Sequence, residues 1–129
     1  KLSEAGIQTG VNLAPVLPGI TDSPGDIEDV VRASAEAGAA RVMSSTLFLK
    51  PCSEKVFMPF LEEKFPHLVA AYKDRYGQGA FLSQEYTRRI SQLVSRYCEK
   101  FGLGGGKKPP ASTHNMAVTS QPAAQIALF

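Results

Sequence analysis

The sequence predicts an α/β fold in which two parallel strands flank a helix and a helical extension follows. Three observations carry that reading. Two apolar runs, Ile7 to Val16 and Ala40 to Leu49, are rich in β-branched and small residues with little polar alternation, the pattern of strands covered on both faces. Between them Ile27, Val30, Val31 and Ser34 follow helical spacing on one stripe. The connections are short, which is the grammar of a β-α-β unit in a parallel sheet.

Taken in order, KLSEAG reads as the last turns of a helix closed by Gly6 in the left-handed C′ position. In the first strand Asn12 is the polar residue that a doubly covered strand must satisfy by hydrogen bonding. Pro15 and Pro18 cannot donate to a ladder, so that strand is expected to end near Ala14. Ser23 then serves as N-cap, with Pro24 at the first helical position and Asp26 and Glu28 at the positive end of the helix dipole. Gly38 stops this helix, and the second strand runs Ala40 to Leu49.

Beyond Lys50 and Pro51 the pattern turns helical. Ser53 is expected to cap a helix with Val56, Phe57, Phe60, Leu61 and Phe65 on one side, and Pro59 early enough to bend it. Pro66 opens another helical set with Leu68, Val69 and Tyr72, ending at Gly77. Ser83 to Phe101 forms the clearest helix: Tyr86, Ile90, Leu93, Val94, Tyr97 and Phe101 on one face, Arg88, Arg89, Gln92, Arg96 and Lys100 on the other. From Gly104 the composition cannot bury enough apolar surface to offset ordering, so a disordered tail is expected.

At 129 residues the chain supports one core. Two parallel strands alone leave open edges and an uncovered face, so the expectation is the C-terminal portion of a larger α/β barrel or open sheet. The net charge of +2 is spread along the chain and makes no strong electrostatic case for nucleic acid. No stretch approaches the roughly 20 apolar residues that cross a bilayer, so no membrane association and a cytoplasmic location are expected. Cys52 and Cys98 lack metal-ligand spacing and read as reduced, partly buried residues. His67 and His114 have no acid, Ser or Cys partner nearby in sequence and are assigned no catalysis.

The residues LSEAGIQTGVNLAPVLPGITD, followed by RVMSSTLFLKP, resemble the late strands of radical S-adenosylmethionine (radical SAM) proteins. The segment FPHLVAAYKDRYGQGAFLSQEYTRRISQLVSRYCEKFGL is similar to the helical C-terminal extension of the subfamily related to spore photoproduct lyase. The resemblance spans Leu2 to Leu103 and implies a partial (β/α)6 TIM-like barrel. Residues 1–52 would be its last two β/α units, 53–103 the helical extension and 104–129 the tail. It implies reductive cleavage of SAM by an iron-sulfur enzyme with a 4Fe-4S cluster, acting on nucleic acid in a DNA-repair-like reaction. The cluster-binding Cys-x-x-x-Cys-x-x-Cys loop and the Gly-Gly-Glu segment are not among these residues.

Carried onto this sequence, the resemblance makes Val11, Leu13, Ala14 and Pro15 the adenine wall, with a second contact from Leu47, Phe48 and Leu49. Ligands of parallel α/β folds sit at the carboxyl ends of strands, which adds Asn12 as a hydrogen-bonding residue and Lys50 as a partner for carboxylate or phosphate. Cys52, just past the second strand, is considered as a hydrogen-atom donor and also as an ordinary thiol. The terminal QIALF resembles the pentapeptide by which bacterial replication and repair proteins bind the sliding clamp. Gln125 would be its anchor, and Ile126, Leu128 and Phe129 its apolar contacts. An alternative to the enzyme is therefore a non-catalytic interaction module tethered by its tail to a replication or repair partner.

Overall fold

The computed structural model describes residues 1–104. The expected tail beyond Gly104, with His114 and the 125–129 pentapeptide, lies outside the described residues. The chain forms β1 (Gly10–Val16), α1 (Pro24–Glu36), β2 (Arg41–Thr46), α2 (Pro51–Lys64), a 3₁₀ turn (Pro66–Leu68), α3 (Val69–Tyr76) and α4 (Gln84–Lys100). It is a mixed α/β fold whose two strands pair in parallel, from Gly10 opposite Arg41 to Leu13 opposite Ser44.

β1 runs past its expected end at Ala14. The register shifts between Leu13 and Val16, and Val16 pairs again with Thr46, so Pro15 falls in a bulge where no ladder N–H is required. The Val16 carbonyl then accepts the Leu47 N–H at 3.0 Å. β2 stops at Thr46, short of the expected Leu49, because β1 has turned away by Pro18 and the Leu49 N–H bonds instead to the Ala80 carbonyl at 2.7 Å.

Only one face of the sheet is covered, which corrects the expectation of burial on both. Along β1 the exposure alternates, with Val11 and Leu13 half-buried and Gly10, Asn12 and Ala14 exposed. On β2 Val42 is buried while Arg41, Met43 and Ser45 are exposed. α1 and α4 lie beside each other on the covered side, with Val16, Ile27, Val31, Val42, Ile90, Val94, Cys98 and Leu103 as its core. A second core, around Leu49, Leu61 and Tyr72, joins α2 and α3 to the segment after β2.

Local signals set most helix ends. Ser23 Oγ accepts the Asp26 N–H at 3.1 Å, and Ser83 caps α4 by accepting the Tyr86 N–H at 3.3 Å. α2 begins at Pro51 with Lys50 at the N-cap and no side-chain cap, so Ser53 does not play the expected part; Pro51 supplies a helix-ready φ two residues sooner. The helix continues through Pro59. Its expected apolar side is only partly used: Leu61 is buried, whereas Val56 is 76% and Phe60 43% exposed.

Gly6, Gly38 and Gly102 each close a helical turn at positive φ, with paired 6→1 and 5→2 hydrogen bonds. At Gly38, φ is +79° and an added Cβ would stand 2.9 Å from Ser3 Cβ, while Ser3 Oγ donates to the Gly38 carbonyl at 2.8 Å. Gly38→Ala is expected to destabilise by about 1–2 kcal/mol from the left-handed backbone, with further loss from the contact. Urea midpoints in the full-length protein check this, and an unmoved midpoint would show that residue 38 relaxes freely.

Candidate functional site

The carboxyl ends of β1 and β2 open onto two short segments, 17–22 and 47–50, and these form the rim of the site. The first is a turn built by its own residues: Thr21 Oγ1 accepts the Leu17 N–H at 2.9 Å and Asp22 Oδ1 the Gly19 N–H at 2.8 Å. Gly19 takes φ +73°, with Leu68 Cδ2 3.2 Å from where a Cβ would stand. A side chain there would meet both a strained backbone and a neighbour from the 3₁₀ turn.

Three tyrosines from the helical extension hold this rim. Tyr72 Oη donates to the Pro18 carbonyl at 2.9 Å, Tyr76 Oη to the Leu47 carbonyl at 2.8 Å, and Tyr86 Oη to Asp22 Oδ2 at 2.8 Å. Burial raises all three phenols. Tyr72 is pushed up to about 12 by burial, with the Asp22 carboxylate adding to the rise and Arg75 opposing it. Tyr76 rises through burial and the nearby Tyr72, and Tyr86 through burial and its hydrogen bond to Asp22. The hydroxyls therefore stay protonated at neutral pH, as donors to the rim must. Arg75 and Arg89 lie over the Tyr86 ring at 5.7 and 5.1 Å from its centre, and Arg89 also approaches Asp22 at 3.7 Å.

The predicted cofactor residues divide by face. Leu13, Ala14 and Pro15 line one cavity of about 430 Å³ with Ile20, Thr21 and residues of α1. Val11 and Leu13 turn their sides toward the core while Asn12 and Ala14 occupy the open face, so Asn12 is exposed and the burial expected for it does not occur. At the second strand Leu47 and Leu49 belong to the second core, whereas Phe48 points outward, 50% exposed and stacked on Phe81. Lys50 is exposed at the start of α2.

Cys52 is exposed on the first turn of α2, not partly buried as expected, because every residue from Pro51 to Val56 is exposed and the helix meets its core only further along, at Leu61. Cys98 is buried in the first core, and burial raises its thiol pKa. His67 is exposed in the 3₁₀ turn. Among the described residues no group of three His, Cys, Asp or Glu is placed to hold a metal ion, and no helix is long and apolar enough to cross a membrane.

Asp22, Tyr76 and Phe81 are the residues that sequence reasoning passed over. Tyr72 and Tyr76 stand four apart and so share a helix face, which was the available signal for a pair. The role of Asp22 depends on Tyr86, distant in sequence, and leaves no local pattern.

Fold and site together define a parallel β-α-β unit whose carboxyl-end rim is clamped by a helical extension. The chain is similar to uncharacterized proteins of Mycobacterium bovis and of two Mycobacterium tuberculosis strains. Each is 32% identical over 118 residues, covering 91% of this chain and 35% of the relative. The chain thus spans about a third of the length of the curated relatives it matches. No protein-family model matches the chain, and no solved structure matches it.

Proposed function

We propose that the protein carrying this chain is a radical SAM iron-sulfur enzyme that reductively cleaves S-adenosylmethionine. In this reading residues 1–52 are late β/α units of a partial (β/α)6 barrel and 53–103 its helical cap. The observation that supports it is the sheet itself, whose face away from α1 and α4 is exposed, as the inward face of one β/α unit taken out of a barrel would be. The sequence resemblance over Leu2 to Leu103 supplies the family and, through the subfamily, a nucleic-acid substrate.

The residues present suit the adenosyl group of SAM. Arg41 and Met43 occupy the open face at the start of β2, whereas toward the carboxyl ends Asn12 and Ala14 of β1 and Ser45 of β2 are short, leaving room for a flat ring there. At the end of β1 this face adjoins the cavity of about 430 Å³ that Leu13, Ala14 and Pro15 share with Asp26, Ile27 and Val30 of α1, which has the dimensions of small-molecule sites. Asn12 and Ala14 would touch the group directly, Pro15 would edge it, and Val11, Leu47 and Leu49 would support that wall from the cores. When bound, SAM supplies a carbon–sulfur bond for reductive cleavage; the chain's part is to seat and orient it. A 4Fe-4S cluster does not fit the cysteines here, since Cys98 is buried in a core and Cys52 is exposed on α2. Its ligands belong to other residues of the protein in this reading.

Anaerobic reconstitution of the full-length protein is expected to yield bound iron and sulfide and, with reductant, 5′-deoxyadenosine from SAM. Ala14→Phe adds a ring at an exposed position, and should weaken SAM binding about tenfold or more with the unfolding midpoint little changed. A full-length protein that assembles no cluster and releases no 5′-deoxyadenosine ends the proposal.

A further inference from the structure

A second cavity, of about 460 Å³, lies between the end of β2 and the first half of α4. It is on the covered side of the sheet: Thr46 continues the Val42 and Ser44 side of β2, and its Oγ1 stands 3.4 Å from Thr87 Oγ1 of α4. This cavity shares no residue with the adenosyl site, and its chemistry is independent of the radical SAM reading.

The wall from α4 is polar and exposed, beside the stripe of Ile90, Val94 and Cys98 that faces the core. Gln84, Thr87, Arg88 and Ser91 recur at i, i+3, i+4 and i+7, so one face of the helix turns amide, hydroxyl and guanidinium groups to the cavity. Arg88 takes part in no ion pair among the described residues. Phe81, just ahead of α4, also lines the cavity, 71% exposed although stacked on Phe48 with ring centres 6.0 Å apart and planes 28° apart. Phe81 is held by its neighbours: the Ala80 carbonyl accepts the Leu49 N–H at 2.7 Å and Leu82 is 8% exposed. Gly79, at φ +155°, makes the bend that brings the segment round. An aromatic face fixed on both sides and left in water offers a stacking surface with little ordering to lose on binding.

We infer that this cavity is a binding site for a small ligand joining an aromatic ring to an anionic group, the chemistry of a free mononucleotide. The ring lies on Phe81. The amide of Gln84, three residues from Phe81 and both donor and acceptor, meets the polar edge of a base. The Arg88 guanidinium pairs with the phosphate through its fork of donors. A volume of about 460 Å³ accommodates both parts at once.

The test is calorimetric titration of the full-length protein with inosine monophosphate, inosine and inorganic phosphate separately. Inosine monophosphate is expected to bind at least about tenfold more tightly than either half. Phe81→Ala, at an exposed position, should weaken inosine monophosphate and inosine alike by about tenfold, consistent with the loss of one stacked base. Arg88→Gln should weaken inosine monophosphate and phosphate while leaving inosine unchanged. Absence of saturable binding up to the millimolar range, or binding indifferent to both substitutions, overturns the inference. So does tight binding confined to oligonucleotides, since the site is assigned to the free mononucleotide.

Discussion

Tyr72→Ala is expected to destabilise the protein by about 3–5 kcal/mol, the range for removing a large buried ring from a core. Tyr72 is 1% exposed, and its ring centre stands 5.5 Å from that of Phe57 and 5.9 Å from that of Tyr76. The alanine variant loses the second core's largest side chain and, with it, the tie to the Pro18 carbonyl. Tyr72→Phe separates the two contributions. It keeps the ring and leaves a buried carbonyl without its donor, which costs about 1–3 kcal/mol. Urea unfolding of both variants in the full-length protein gives the comparison. An alanine cost below about 1 kcal/mol would mean that the extension is not seated on the rim by this ring.

Alkaline pH is expected to loosen the same clamp. The Tyr72 pKa is about 12 in the folded chain against an ordinary 10, burial being the main cause and the Asp22 carboxylate the next. Below pH 10 the phenol is protonated in both folded and unfolded chains, so its full stabilising contribution is present. Between pH 10 and 12 the unfolded chain has released the proton and the folded chain still holds it. Stability therefore falls as pH rises, by about 1.4 kcal/mol per pH unit for one such group. Tyr76 and Tyr86 are raised as well and steepen the decline in the same direction. Unfolding midpoints followed across this window should drop steadily in the wild type and less steeply in Tyr72→Phe. Parallel slopes in the two proteins would show that Tyr72 ionises alike folded and unfolded.

What the sequence made legible is what neighbouring residues decide. Ser23 and Pro24 fixed the start of α1, Ser83 that of α4, and Gly6 and Gly38 closed helical turns, because caps and left-handed turns are settled within a few positions. The parallel pairing followed from the order of elements. The ends of the strands were harder, since Pro15 reads as a stop yet sits in a bulge that only the partner strand creates. β2 is shorter than its apolar run for a related reason: Leu47 and Leu49 are apolar because they enter the second core, not because they extend a ladder.

The candidate site was legible mainly as a location. Strand alternation separates Asn12 and Ala14 from Val11 and Leu13, a distinction already contained in the period of two but obscured by the uniformly apolar run. The tyrosine clamp spans up to 64 residues of sequence, from Asp22 to Tyr86. Nothing in the composition of either end announces the other, and such contacts become visible only when the helices are placed. Phe81 reads as part of a loop, and its exposure follows from the anchoring of Ala80 and Leu82 on either side.

After α4 the backbone returns to the sheet, where Gly104 forms a parallel bridge to Arg41 and donates its N–H to the Ala40 carbonyl at 3.2 Å. Arg41 begins β2 and Thr46 ends it, so this junction and the rim are separated by the length of one strand, about 15–20 Å. That separation makes the exposed Arg41, at the junction, a convenient reference point for spectroscopy. A reporter attached there would sit within range of a second probe on the rim, away from either cavity, and would record rim movement as a change in distance.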